Sequence, residues 1–361
     1  MSSHRWDLSK SEAKLQELEA VLKGAGKRKV LILCHNNPDP DTIAGAYAFS
    51  FLLNKKFGVR SILGYGGVVT RAENKAMIQR LRIRMHRLSK LVPARYYGMA
   101  VVDAQPGTGN NLFHAKEAQP FIVIDHHPLR KMSLKAEFHD IRPNYGSTST
   151  IVTEYLLAAG LTPTRSVANA LLYGLKTDTW SLVRASSRED FEAFNYLSPL
   201  TNPRVLGWIE RPPLSEDYFR DYHQGLSNAL IYRDVAVSFL GKIRSEDIIP
   251  ALADLLLRTE GVRISLCMGE LANMIILSLR SRSRTHVART LIRSLVGNSG
   301  QAGGHKEMAG GQVPLSGLTR EEKKGMPAKL IARFLKLVNR PSISPRRLVD
   351  TAGTRSSGLC E

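Results

Sequence analysis

The sequence predicts an α/β protein: an open, mostly parallel sheet in the N-terminal domain and a smaller α/β domain after it. Three observations carry that expectation. The segment "KVLILCHN" (29–36) is too continuously apolar for a half-exposed strand and suits the buried centre of a parallel sheet. Strand and helix patterns then alternate in the order of an open α/β sheet. Polar, chemistry-bearing residues fall just past the predicted strand ends, the edge at which such sheets bind ligands.

Leu8, Leu15, Leu18, Val21 and Leu22 form a helical stripe over residues 8–23, with Asp7 or Ser9 as N-cap and Gly24 as a stop. After the first strand, "DTIAGAYAFSFLLNKKFG" reads as a helix closed by Gly58 and "RSILGYGG" as a second short strand. "RAENKAMIQRLRIRMHRLSKL" (71–91) reads as a helix or helical linker. "YYGMAVVDAQ" and "PFIVIDHHP" are further strands, each ending in acidic or histidine residues. "STSTIVTEYLLAAG" and "SVANALLYGLKTD" follow as helices. Helical patterns run on to about residue 228, broken by Pro199, Pro203, Pro212 and Pro213. "DVAVSFLGKI" (234–243) opens a second alternation. "RISLCMGELANMIILSLRSRS" reads as two adjacent strands, "THVARTLIRSL" as a helix, the glycine-rich "GNSGQAGGHKEMAGGQVPL" as a lead into one last strand or loop, and "EEKKGMPAKLIARFLKLVN" as a closing helix. The expected organisation is an N-terminal helix (1–24), a first domain (25–215), a linker (216–230), a second domain (231–340) and a disordered Ser/Arg/Pro-rich tail (341–361).

The 361 residues are 43% hydrophobic, enough for two cores. Lys plus Arg number 51 against 32 Asp plus Glu, and the resulting +19 favours polyanionic partners, either nucleic acid or phosphate-rich small molecules. "KRK" (27–29) and "RLRIRMHR" (80–87) are basic runs that could steer anions, although solvated helix faces are the simpler account. Cys34, Cys267 and Cys360 are too few and too scattered for a disulfide framework or a zinc site. The start, "MSSHRWDLSK", lacks the apolar core of a secretory signal, and no apolar run approaches the ~18–20 residues of a membrane span. A protein of the reducing cytoplasm with no membrane partner is expected.

The chemistry concentrates in four places. His35, Asp39 and Asp41 have an H-x3-D-x-D spacing across a strand-to-helix turn, which can aim three donors into one small space. Carboxylates with one imidazole suit Mn²⁺ or Mg²⁺ better than a structural zinc site, which favours thiolates. Helix capping by Asp39 or Asp41 is the competing account. Asp103 ends "MAVVD". "FIVIDHHP" puts Asp125, His126 and His127 at a strand end, where burial is costly unless each group has a partner. Asp178 ends a helix in "LKTD", where a carboxylate opposes the helix dipole and a cation would compensate. Together these groups exceed what capping demands, and they match a two-metal site with ions ~3.5–4 Å apart and one bridging carboxylate.

"HNNPDPD", "VVD", "DHHP" and "TDT", in that order, resemble the four motifs of the DHH phosphoesterase family. "GGHKEMAGG" (303–311) resembles the glycine-rich signature of the associated DHHA1 domain, and the resemblance covers about residues 25–320. It implies two domains with the active site in the cleft between them. It implies one divalent ion held by His35, Asp39 and Asp103, and a second held by Asp41, Asp103, His126 and Asp178, with Asp103 bridging. Manganese is the metal it points to, with Mg²⁺ or Co²⁺ as alternatives. Asp125 would orient the neighbouring histidine, and His127 would approach the scissile phosphate or its leaving oxygen. The implied substrate contacts are Ser147, Thr148, Arg280, Ser281, Gly303, Gly304 and His305. Two departures from the family pattern stand out: Ala302 replaces the first of three glycines before His305, and Thr42 follows the first motif. Within the family the chain is similar to the nanoRNase/pAp-phosphatase group. The expected activity is therefore hydrolysis of short oligoribonucleotides and of 3′-phosphoadenosine 5′-phosphate by a water that two metal ions activate. Alternatives within the family are a phosphodiesterase for cyclic dinucleotides or their linear products and an exopolyphosphatase-like hydrolase. Outside it stands a nucleic-acid-binding protein with a vestigial metal site, whose charge-driven binding would survive EDTA. Short RNA or nucleotides are the expected partners, with a homodimer left open.

Overall fold

Leu15, Leu18 and Leu22 recur at helical spacing, and α1 (Ser9–Leu22) buries all three. The apolar run after it becomes β1 (Val30–Leu33), buried along its whole length. Val30 and Ile32 enter the main core, while Leu31 and Leu33 pack on the other face with Met99 against Leu88, Leu91 and Tyr96. The computed structural model describes residues 6–349 apart from 70, 109–119, 185 and 305. It divides the chain into two units, Met1–Pro212 and Pro213–Glu361.

In the first unit Pro40 opens α2 (Pro40–Phe57) with Asp39 as N-cap, and Gly58 closes it at φ +65°, a left-handed cap that favours glycine. β2 (Ser61–Tyr65), α3 (Ala72–Arg80), β3 (Met85–Arg87), β4 (Met99–Val102), β5 (Ile122–Asp125) and β6 (Phe138–Ile141) follow. The helices α4 (Thr148–Ala158), α5 (Arg165–Asp178), α6 (Arg188–Leu197) and α7 (Pro203–Glu210) complete the unit. The six strands are all parallel, in the order β3-β2-β1-β4-β5-β6. The order reverses direction between β1 and β4, so the carboxyl ends of those two strands mark the switch point at which open sheets form a ligand crevice.

The second unit contains α8 (Glu216–Ser227), β7 (Leu230–Tyr232), β8 (Val235–Lys242), α9 (Ile248–Leu256), β9 (Ile264–Leu271), β10 (Met274–Ser281), α10 (Ala288–Val296), β11 (Gln301–Gly304), β12 (Met308–Pro314), α11 (Arg320–Leu337) and β13 (Arg346–Arg347). Its seven-stranded sheet runs β11-β12-β10-β9-β8-β7-β13, with β8 and β9 parallel and the other pairs antiparallel. The period-2 pattern of β8 sends Val235 and Val237 to a core shared with α10 and α11, and Ala236 to a core shared with α8 and α9.

Several elements differ from the sequence reading. The helix expected over 71–91 stops at Arg80. Leu81 and Ile83 are buried while Arg82 and Arg84 are exposed, a period-2 pattern that leads into β3, and Arg82 turns the chain at φ +55°. The short strands β6 and β7 are additional. Residues 216–227 of the expected linker are α8, which packs Tyr218, Tyr222 and Leu226 on the second unit's core. The glycine-rich stretch forms two strands rather than one. The expected disordered tail is ordered as far as Arg346–Arg347, which pair with β7, and its residues 350–361 lie outside the described ones. Among the described residues no helix is long and apolar enough to cross a membrane.

Candidate metal centre

The loop after β1 carries His35 and Asp39. His35 Nδ1 lies 2.8 Å from the carbonyl of Asn36, and a carbonyl can only accept, so Nδ1 bears the proton. Nε2 then faces Asp39 Oδ2 at 3.4 Å and Asp103 Oδ2 at 3.7 Å. Asp39 has two roles, because its Oδ1 accepts from the Thr42 amide at 3.0 Å and caps α2 while Oδ2 turns to His35. Buried Asn74 holds the loop by donating to Pro38 O at 2.9 Å. Past β4, Asp103 takes a left-handed φ of +60°, which bends the chain at the strand end. Its carboxylate is 3% exposed, and Oδ1 accepts from Thr148 Oγ1 at 2.9 Å.

His126, past β5, repeats the design of His35. Nδ1 donates to Tyr145 O at 3.1 Å, and Nε2 faces Asp178 Oδ2 at 3.0 Å and Asp103 Oδ1 at 3.5 Å. That Nε2 is buried and makes no hydrogen bond of acceptable geometry. Asp41 comes within 4.8 Å of the His126 and Asp178 ligand atoms. Its oxygens accept from Thr148 N (2.7 Å), Ser149 N (2.9 Å) and Ser149 Oγ (2.5 Å), which leaves about one of a carboxylate's four lone-pair directions. Asp125 Oδ1 accepts from the His126 amide (2.8 Å) and from His127 Nδ1 (2.8 Å), so the ring it orients is that of His127.

The electrostatics are those of carboxylates crowded together out of water. Burial, and then Asp41, Asp39, Asp125 and Asp178, push the Asp103 carboxyl well above the usual carboxylate range. Burial and Asp178 push Asp41 up to about 7. Burial would lower His126, but Asp178 and Asp41 raise it to about 10. Burial also opposes the charge on Asp39, yet His35 holds that carboxyl below its ordinary value. Among the described residues no Lys or Arg pairs with Asp39, Asp41, Asp103, Asp125 or Asp178. Three groups, Asp103-Asp125-His126-His127, His35-Asp39-Asp103 and Asp41-His126-Asp178, each place their ligand atoms within 4.8 Å of one another, and the last two hold one imidazole each. Oxygen-rich donors with one imidazole apiece, an orphaned buried Nε2 and uncompensated carboxylates fit hard divalent cations.

Residues 29–175 match the model of the DHH family, N-terminal domain, and residues 233–340 match the DHHA1 domain. An uncharacterized protein of Methanocaldococcus jannaschii is 32% identical over 343 residues, 91% of this chain and 70% of that one. This chain belongs to the DHH family. It is accordingly a metal-dependent phosphoesterase. A probable manganese-dependent inorganic pyrophosphatase of Streptococcus pyogenes is 27% identical over 158 residues, which is 42% of this chain and about half (48%) of the relative. The crystal structure of an exopolyphosphatase-related protein from Bacteroides fragilis shares the fold, with a TM-score of 0.70 at 17% identity over 91% of this chain and 98% of that one.

Other expected contacts are placed differently in this DHH protein. Ser147 is fully buried as the N-cap of α4, accepting from the Thr150 amide at 3.1 Å. Thr148 is fully buried too, its amide donating to Asp41 and its hydroxyl to Asp103. In the DHHA1 domain Arg280 is 6% exposed, and its guanidinium is paired with Asp254 through Nε and Nη2, with Nη1 on Ser278 Oγ at 2.8 Å. Ser281 is buried and donates to His286 O at 2.6 Å. Gly303 and Gly304 lie in β11, and His305 lies outside the described residues.

The structure adds residues that the motifs do not name. Gln105 is fully buried and donates to Asp125 Oδ2 at 2.6 Å, while its carbonyl oxygen accepts from Arg130 N (2.7 Å) and Ser133 Oγ (2.9 Å). Arg142 binds Asp140 (2.6 Å), Glu154 (2.5 Å) and Ser11 Oγ (2.9 Å), which ties α1 to the segment that presents the Tyr145 carbonyl to His126. A polar Gln at a buried strand end and an Arg in "FHDIRP" were the available signals. Periodicity does not mark them, because their partners are up to 131 residues away.

Proposed function

We propose that this DHH protein hydrolyses short oligoribonucleotides and 3′-phosphoadenosine 5′-phosphate, using two divalent ions bridged by Asp103. Asp103 carries the reading: its Oδ2 faces His35 and its Oδ1 faces His126, at 3.7 and 3.5 Å. The net charge of +19 supports a polyanionic substrate, and the pyrophosphatase relatives described as manganese-dependent support Mn²⁺. Divalent ions held by His35, Asp39 and Asp103 and by Asp41, His126 and Asp178 would supply Lewis-acid stabilisation of charge on a transferring phosphoryl group and a more acidic attacking water. The chain's own residues prepare that chemistry. The Asn36 and Tyr145 carbonyls accept from Nδ1 of the two histidines, so Nε2 is the ring atom that each would offer to an ion. Asp125 holds the His127 Nδ1, so a proton given to a leaving oxygen comes from Nε2 of that ring.

A second reading, a hydrolase of inorganic pyrophosphate or polyphosphate, is favoured by the 27% identity to pyrophosphatases over 158 residues. The Mn²⁺-loaded protein should be incubated with a ribodinucleotide, a longer RNA, 3′-phosphoadenosine 5′-phosphate, a cyclic dinucleotide and polyphosphate. Chelator-sensitive cleavage of the dinucleotide and of 3′-phosphoadenosine 5′-phosphate is the expected result. Degradation of polyphosphate alone would overturn the proposal in favour of the second reading.

A further inference from the structure

The chain leaves α5 after Asp178 by a strained route. Trp180, Ser181 and Leu182 take φ values of +50°, +55° and +69°, three consecutive non-glycine residues in the left-handed region. The turn is well tied. Ser181 N donates to Lys176 O at 2.7 Å, Arg184 N to Thr179 O at 2.8 Å and Leu182 N to Thr179 Oγ1 at 3.0 Å. Strain held by this many bonds directs attention to what the turn displays. It displays the Trp180 indole, which is 50% exposed with the Arg184 guanidinium carbon 5.8 Å from its ring centroid.

Two peptide steps separate Trp180 from Asp178, so their Cα atoms are at most about 7.6 Å apart. Asp178 Oδ2 in turn lies 3.0 Å from His126 Nε2. The backbone that carries the ring is therefore within about one nucleotide's length of the backbone that carries a cluster carboxylate. A large apolar surface left in water, two residues from Asp178, contributes nothing to holding an inorganic phosphate chain. A half-exposed indole with a guanidinium against it is the kind of platform on which a nucleobase stacks.

We propose that Trp180 stacks on the base adjoining the scissile phosphate and selects nucleotide substrates over inorganic ones. The proposal rests on the nucleotide reading given above. Trp180→Gly removes the ring and suits the positive φ, and Trp180→Phe keeps a smaller ring. Steady-state kinetics of the full-length Mn²⁺-loaded protein should compare a ribodinucleotide with an abasic analogue of the same backbone. Mn²⁺ affinity of each variant should be read by electron paramagnetic resonance.

For Trp180→Gly the expected result is a KM for the dinucleotide raised about tenfold or more, the size of one lost stacking contact. Its kcat should stay within about twofold, with abasic-analogue kinetics and Mn²⁺ affinity unchanged, and Trp180→Phe should recover most of the loss. An unchanged dinucleotide KM in Trp180→Gly would overturn the stacking role alone. So would a raised KM accompanied by weakened Mn²⁺ binding, since the ring would then act through Asp178. A wild-type protein that cuts polyphosphate but neither dinucleotide nor abasic analogue overturns the nucleotide reading and the stacking role together.

Discussion

Replacing Asp103 by Asn separates the metal role of this carboxylate from its structural role. Asn is isosteric and keeps an acceptor for the Thr148 hydroxyl, 2.9 Å away, so the fold around it is retained. In the metal-free protein Asp103 is buried among Asp41, Asp39, Asp125 and Asp178, so loss of its charge should leave stability equal or higher. The metal-dependent gain should nearly vanish. At a Mn²⁺ concentration of about 100 Kd, binding adds about 2.7 kcal/mol. For a unit the size of Met1–Pro212 that raises Tm by about 5–10 °C, at about 2–4 °C per kcal/mol. Losing an outer partner of a metal ligand already costs about 10–100-fold in affinity. A hundredfold loss at the bridging position leaves about 0.4 kcal/mol, or about 1 °C. Thermal melts monitored by circular dichroism, with Mn²⁺ and with EDTA, measure both quantities, and a turnover assay should show Asp103→Asn inactive. A variant that keeps the full Mn²⁺-dependent rise in Tm, or near wild-type turnover, would refute the bridging assignment.

Further expectations follow from the same geometry. His126 and Asp41, raised to about 10 and about 7, hold extra protons in the metal-free fold relative to the unfolded chain. Stability of that form therefore falls as pH rises from about 4 toward 10, and the Tm difference between Mn²⁺ and EDTA samples should widen from pH 6 to 9; a constant difference would count against it. Arg142→Leu leaves Asp140 and Glu154 buried without their cation and should cost about 3–5 kcal/mol in denaturant unfolding; a loss under about 1 kcal/mol would mean the network is dispensable. Gly304 has φ +144°, and a Cβ there would lie 2.4 Å from Ala309 Cα, whereas one at Gly303 meets nothing within 4 Å. Gly304→Ala should thus lower the stability of the DHHA1 domain by more than about 1 kcal/mol and Gly303→Ala by less than half as much, as checked by urea unfolding.

What the sequence determined by itself was local. The apolar run of Val30–Leu33 required a buried central strand, Pro40 and Gly58 delimited α2, and the strand-end positions of His35, Asp103 and His126 followed from the strands they terminate. The Leu-x-Ile-x-Met alternation at 81–85 was equally local, although the basic residues between made it resemble a helix face. Tertiary structure decided which partner each polar group takes. Thr148 bonds Asp41 and Asp103, Arg280 is paired with Asp254, Asp125 orients His127, and Gln105 and Arg142 act across the fold. Hydrogen bonds and ion pairs depend on distances of a few ångströms and on the angle of approach. Residues tens to more than a hundred positions apart meet those conditions only once the sheet and its helices have packed.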